Sequence, residues 1–179
     1  MAVVAVWSPV DLVLSLVAPL GCALQAGTAL VVDLDPGGPP MPGDGDLASL
    51  VARGPTEAEL RPDRRGVAVI GNGGIEAAEA GEVIAALADR WPNVVLRCAP
   101  TQMPPVAAVP LIPVLPEPFA IQIDRPSVYQ QTYFGGDPQP GVTVLPAPKP
   151  ATVRSLLSGR MPTRRDKWIG SLEHVWELA

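Results

Sequence analysis

From Leu12 to Val32 the chain carries no charged side chain, and the run stops at Asp33. Such a stretch is long enough to cross a bilayer. Pro19, Gly21, Gln25, Gly27 and Thr28 interrupt it, however, and no Lys or Arg precedes it. The flanking cations expected of a membrane span, and the cationic start of a secretion signal, are both missing. The run therefore reads as a buried helix ended by Gly27, followed by a buried strand from Thr28 to Asp33. A helix and a strand both hidden in the interior require a sheet covered by helices.

The rest of the chain fits that requirement. Val3–Trp7 is a short apolar run suited to a central parallel strand. Ser8-Pro9-Val10-Asp11 reads as a helix start, with Ser8 as the cap, Pro9 in the first turn and Asp11 returning a bond. A short helix is expected over Leu47–Arg53 and a third strand over Gly66–Ile70. An amphipathic helix over Glu79–Trp91 places Val83, Ile84, Leu87 and Trp91 on one face. Further strands are expected at Val94–Cys98, Leu111–Leu115 and Val142–Leu145. Pro150 opens a helix through Leu157 that Gly159 closes. Thr163 and Asp166 read as a capping box for a last helix with a stripe of Trp168, Ile169, Leu172, Val175 and Trp176. Alternating strands and helices predict a three-layer α/β/α domain with a mainly parallel central sheet.

The 179 residues are expected to form a single domain. The 23 prolines and 17 glycines gather at 36–45, 99–118 and 135–150, which predicts long stiff loops there. A net charge of −5 argues against a general nucleic-acid binder. The charge is uneven: residues 1–148 are net acidic, and 149–179 are net basic. Cys22 and Cys98 sit in apolar contexts and read as small buried core residues rather than a disulfide or metal site.

Four segments carry a family resemblance. These are Val3-Val4-Ala5-Val6-Trp7-Ser8-Pro9, Leu30-Val31-Val32-Asp33-Leu34-Asp35-Pro36-Gly37-Gly38, Val83 to Pro100, and Val144-Leu145-Pro146 through Gly159-Arg160-Met161-Pro162. In order and character they resemble the MinD/ParA family of P-loop ATPases, and within it the CpaE/TadZ and septum-site-determining branch. The resemblance implies a reduced P-loop NTPase-like domain. It also implies a role in positioning pili or division machinery in bacteria.

The departures from that family are as informative as the matches. The family has a Gly-rich, lysine-bearing loop between its first strand and helix, whose N–H groups cradle phosphates. Here Ser8-Pro9-Val10-Asp11 makes the same passage. Pro9 has no N–H, and Asp11 sets a negative charge where a triphosphate would lie. The family's Walker B aspartate is matched by Arg97, which has no acceptor for Mg²⁺. A polar nucleotide-contacting stretch is replaced by Pro146-Ala147-Pro148-Lys149-Pro150. Ser8, Asp11, Asp33, Asp35 and Arg97 are thus expected to be relics of a degenerate site, with Asp33 and Asp35 capping nearby backbone. No cofactor, metal or catalytic residue is expected.

Three features remain. Gly71-Asn72-Gly73-Gly74 stands where a dinucleotide loop would lie, but Glu76 replaces the third glycine, and Glu79 and Glu82 would repel phosphate. A turn with positive φ is the expected reading, and a small ligand or nucleotide the alternative. His174, Glu173 and Glu177 read as solvated. Arg160, Arg164, Arg165 and Lys167 form a basic cluster, either a solvated turn or a contact for an acidic partner or lipid headgroups. Val10, Leu12 and Val13 begin a helix that is apolar almost all round, and they face another protein or the core. The expectation is a cytoplasmic pseudo-ATPase that binds a protein partner or itself and binds no nucleic acid. Contact with the membrane periphery is the weaker alternative.

Overall fold

The computed structural model describes residues 2–104, 106–138 and 140–179. Pro105 and Gln139, within two of the expected loops, lie outside the described residues, as does Met1. The chain runs β1 (Ala2–Trp7), α1 (Leu12–Ala26), β2 (Ala29–Asp33), β3 (Gly45–Asp46), α2 (Leu47–Arg53), β4 (Val67–Gly71), α3 (Gly81–Arg90), β5 (Asn93–Arg97), β6 (Val109–Pro113), β7 (Val128–Gln130), β8 (Thr143–Leu145), α4 (Pro150–Leu157), α5 (Lys167–Ser171) and α6 (Glu173–Trp176). All eight strands join one sheet in the order β3-β4-β2-β5-β1-β6-β7-β8. Every pairing in it is parallel.

Strand alternation divides the core in two. Val4, Val6, Val31 and Val95 face one side, where α1, Leu156 of α4, and Trp168 and Ile169 of α5 cover them. Ala5, Trp7, Leu30, Val32, Val94 and Leu96 face the other side, under Leu47 and Leu50 of α2 and Leu87 of α3. This is the expected three-layer α/β/α architecture. The uncharged run resolves into α1 and β2, both buried along most of their length. Among the described residues no helix is long and apolar enough to cross a membrane.

Several local expectations are corrected. The cap of α1 is Asp11, whose Oδ1 accepts from Leu14 N at 2.8 Å. Ser8 is buried three residues before Asp11 and caps nothing, because Val10 turns the chain between them. Likewise Asp166 alone caps α5 through Trp168 N at 2.9 Å, and its other oxygen takes the Thr152 hydroxyl at 2.7 Å. The expected last helix is two short pieces, α5 and α6, broken at Leu172. Strands β3 and β7 were not foreseen. Each is two or three residues long and stands among glycines, prolines or polar residues.

Candidate functional site

The carboxyl ends of the strands gather most of the singled-out residues. From β1 the chain leaves through α1 toward β2. From the neighbouring β5 it leaves toward β6, on the opposite side. Ligands of open α/β sheets bind at the crevice formed by such a reversal.

Asp33 ends β2 and Arg97 ends β5, and the parallel register sets the two side by side. Both point to the same face as Val31 and Val95, two residues earlier. Arg97 Nη1 donates to Asp33 Oδ2 at 2.9 Å and to the Pro39 carbonyl at 3.1 Å, and Nη2 donates to Asp35 Oδ2 at 2.7 Å. The guanidinium is fully buried. Asp33 Oδ1 accepts from Asp35 N at 3.0 Å, which fixes the second carboxylate relative to the first. Gly38 closes the loop over this triad. A Cβ there would stand 2.1 Å from Asp35 Oδ2 and 2.5 Å from Arg97 Nη2.

The sequence predicts that Asp33 and Asp35 cap backbone. Asp33 does so in part, but the chief partner of both carboxylates is Arg97. A buried cation thus holds both carboxylates.

Burial pushes the Asp33 carboxyl up from 3.8 to about 6, and the Arg97 guanidinium and the Asp35 N–H draw it back only in part. Its folded-state value lies above the unfolded one, so folding favours the protonated acid. The associated stability is fully present below about pH 4 and is lost as pH rises through about 6. Asp33→Asn abolishes this titration. The stability difference between the two proteins therefore changes by roughly 2–3 kcal/mol between pH 4 and pH 7 and is flat above it. Urea denaturation across that range checks this, and a constant difference would show that Asp33 does not titrate there.

The start of α1 lies beside the triad's sheet edge. Val10 adopts φ 57°, in a region that β-branched residues avoid. Its N–H points to the Pro100 carbonyl at 3.4 Å. Asp11 already supplies the anion at this helix end. A phosphate approaching it would meet that carboxylate.

The Gly71–Gly74 turn is built as expected, with φ of 76° at Gly73 and 86° at Gly74. Its amides are committed: Gly74 N and Ile75 N donate to Asn72 Oδ1 at 2.8 and 2.9 Å. Asn72 Nδ2 in turn ties the turn to the Asp33 carbonyl at 3.1 Å. The cleft above it, about 390 Å³, is lined by Asp33, Asp35, Asp44 and Asp46 with backbone glycines, a setting that disfavours phosphate.

A larger cleft of about 610 Å³ opens between the first half of α1, α4 and the segment after β7. Its walls include Leu14, Val17, Val153, Leu157, Tyr133 and Phe134. No local sequence pattern marks this cleft, because its α1 wall lies more than a hundred residues from the other lining segments. Val10, Leu12 and Val13 are all exposed, and Val13 lines this cleft.

The remaining candidates stand apart. Arg160, Arg164, Arg165 and Lys167 are all exposed, and Arg164 lies over Gly27 with Nη2 3.5 Å from the Arg65 carbonyl. His174 Nδ1 lies 2.8 Å from Glu177 Oε2 on the surface. Cys22 and Cys98 are free and buried, and burial raises both thiols, Cys98 to about 12. The Arg125 guanidinium stacks 5.3 Å above the Trp7 ring, a contact with no sequence signal.

No family model matches the chain, and no curated protein or solved structure matches it significantly.

Proposed function

We propose that this chain is a non-catalytic MinD/ParA-like protein that works by binding a protein partner, as a scaffold in bacterial positioning, pilus or secretion, or division machinery. The observation that carries the reading is the buried Arg97–Asp33–Asp35 triad. In an ATPase of this type the two carboxylates serve metal and water. Here each has an oxygen bonded to an internal guanidinium at 2.9 and 2.7 Å. A divalent cation placed among them would meet a fixed positive charge.

The start of α1 supports the same reading. Pro9 offers no N–H, the Val10 N–H points to a carbonyl, and the Asp11 carboxylate takes the amide of Leu14. These residues do not fit a nucleoside triphosphate with Mg²⁺. What such a chain retains for function is surface, and the exposed apolar residues Val13, Tyr133, Phe134 and Leu157 line one cleft beside α1 and α4. The protein is placed in the cytoplasm on this reading.

Titration calorimetry with ATP and Mg²⁺ tests the proposal. The expected result is no saturable heat at about millimolar nucleotide, where even weak binding of about 4 kcal/mol would register. Micromolar binding would sink it.

A further inference from the structure

We infer that the cleft between α1 and α4 docks an amphipathic segment of a partner protein that carries bulky apolar side chains flanked by carboxylates. The inference rests on the protein-binding reading above and deepens it by naming the surface and the partner's chemistry.

The apolar surface is larger than the cleft. Phe134 and Tyr133 on its wall are 81% and 69% exposed, and Leu157 and Val13 are exposed as well. Leu12 and Val10, itself 69% exposed, adjoin its lining residue Asp11 in sequence. Of the twelve exposed large apolar residues among those described, four line this cleft and these two adjoin it in sequence. A small molecule seated in about 610 Å³ would leave the protruding rings and Val10 in water. A macromolecule covers both, as aromatic residues at interfaces are covered.

Val10 adds an independent argument. A glycine would hold φ 57° without strain, yet the position carries a β-branched side chain turned to solvent. The isolated chain gains neither backbone ease nor burial from it. An apolar partner supplies the burial.

Charge selects among partners. The charged residues that line the cleft are Asp11 and Arg154. Asp11 is engaged in capping α1. Arg154 is exposed, as is Lys149 between the lining residues Pro148 and Pro150. Among the described residues neither cation is in an ion pair. On the α4 side the rim is therefore cationic and open to carboxylates, while Asp11 keeps the α1 side anionic. Pairing this face with its own copy would set Lys149 and Arg154 near their counterparts, which disfavours a second copy as occupant.

The probe is a phage-displayed library of random peptides of about 16 residues, long enough for about four helical turns. It is panned on the full chain with Phe134→Ser/Leu157→Ser as counter-target. Both sites are exposed, so the double variant is expected to keep the wild-type Tm. The expected enrichment is for peptides combining Leu, Ile, Phe or Trp with Asp or Glu. Their affinity as free peptides should fall about tenfold or more on the double variant and on Val10→Gly, and Arg154→Glu should shift preference toward basic flanks. Enrichment that the double variant equally retains, basic flanks on the wild type, or no enrichment overturns the inference. So does a reversible dimer in sedimentation that Phe134→Ser abolishes, since it assigns the face to a second copy. Titrating the same sample with ATP and Mg²⁺ separates the two claims. Nucleotide binding overturns the non-catalytic reading whatever the peptides do, and failed docking without nucleotide binding overturns only the surface.

Discussion

Arg97→Ala is expected to destabilise the protein by about 3–5 kcal/mol, measured as the change in unfolding free energy by urea. The alanine leaves the nearly fully buried Asp33 and Asp35 without their cation. It also leaves the Pro39 carbonyl without its donor. A domain of this size has roughly 5–15 kcal/mol of total stability, so the variant stands near the edge of folding. The triple change Arg97→Met, Asp33→Asn, Asp35→Asn removes all three charges at similar volume, and most of the loss should return. That contrast identifies the cause. If the single variant loses under about 1 kcal/mol, water reaches the triad and the buried-cation account is wrong. If the triple variant is as unstable as the single one, shape rather than charge holds the loop.

Trp168→Ala should have a comparable effect, about 3–5 kcal/mol by the same measurement. Trp168 is the largest of the fully buried side chains. Its ring packs against α1 at Gly21, where a Cβ would stand 3.0 Å from Cζ3. Its Nε1 donates to Gln130 Oε1 at 2.7 Å, joining α5 to β7. Alanine opens a cavity between these elements and strands the Gln130 oxygen in the interior. Trp168→Phe keeps most of the packing and loses the hydrogen bond, so its loss should be smaller, about 1–3 kcal/mol. Equal losses for the two variants would make the hydrogen bond, not the packing, the dominant contribution.

The two substitutions differ in how far the sequence announced them. The stripe of Trp168, Ile169, Leu172, Val175 and Trp176 is legible as a buried face; the first four are buried and Trp176 is partly so, although the helix breaks at Leu172. Patterns of apolar residues survive such breaks because burial depends on side, not on helix continuity. The strands Ala2–Trp7, Ala29–Asp33 and Asn93–Arg97 are legible for the same reason, through the apolar runs Ala2–Trp7, Ala29–Val32 and Val94–Leu96 that they contain. Register is not legible. Nothing in the spacing of Asp33 and Arg97 says that β2 and β5 lie side by side, so the arginine reads as a lost ligand rather than the partner of both acids. The cap of α1 was misassigned by three residues because Ser8 and Asp11 both suit that role. The left-handed backbone at Val10, which decides between them, contradicts the preference of valine. The cleft beside α1 depends on long-range proximity and leaves no local pattern at all.

The place of β1 in the sheet has a consequence for synthesis. Ala2–Trp7 is made before both of its neighbours, β5 and β6, which begin at Asn93 and Val109. The strand must wait until synthesis reaches Asn93 before either neighbour exists. During that interval it has no strand to pair with, and it is the segment most open to capture by a chaperone or by another nascent chain. A ribosome-bound fragment ending near Arg90 should therefore remain protease-sensitive, and protection should begin only once Pro113 has cleared the exit tunnel.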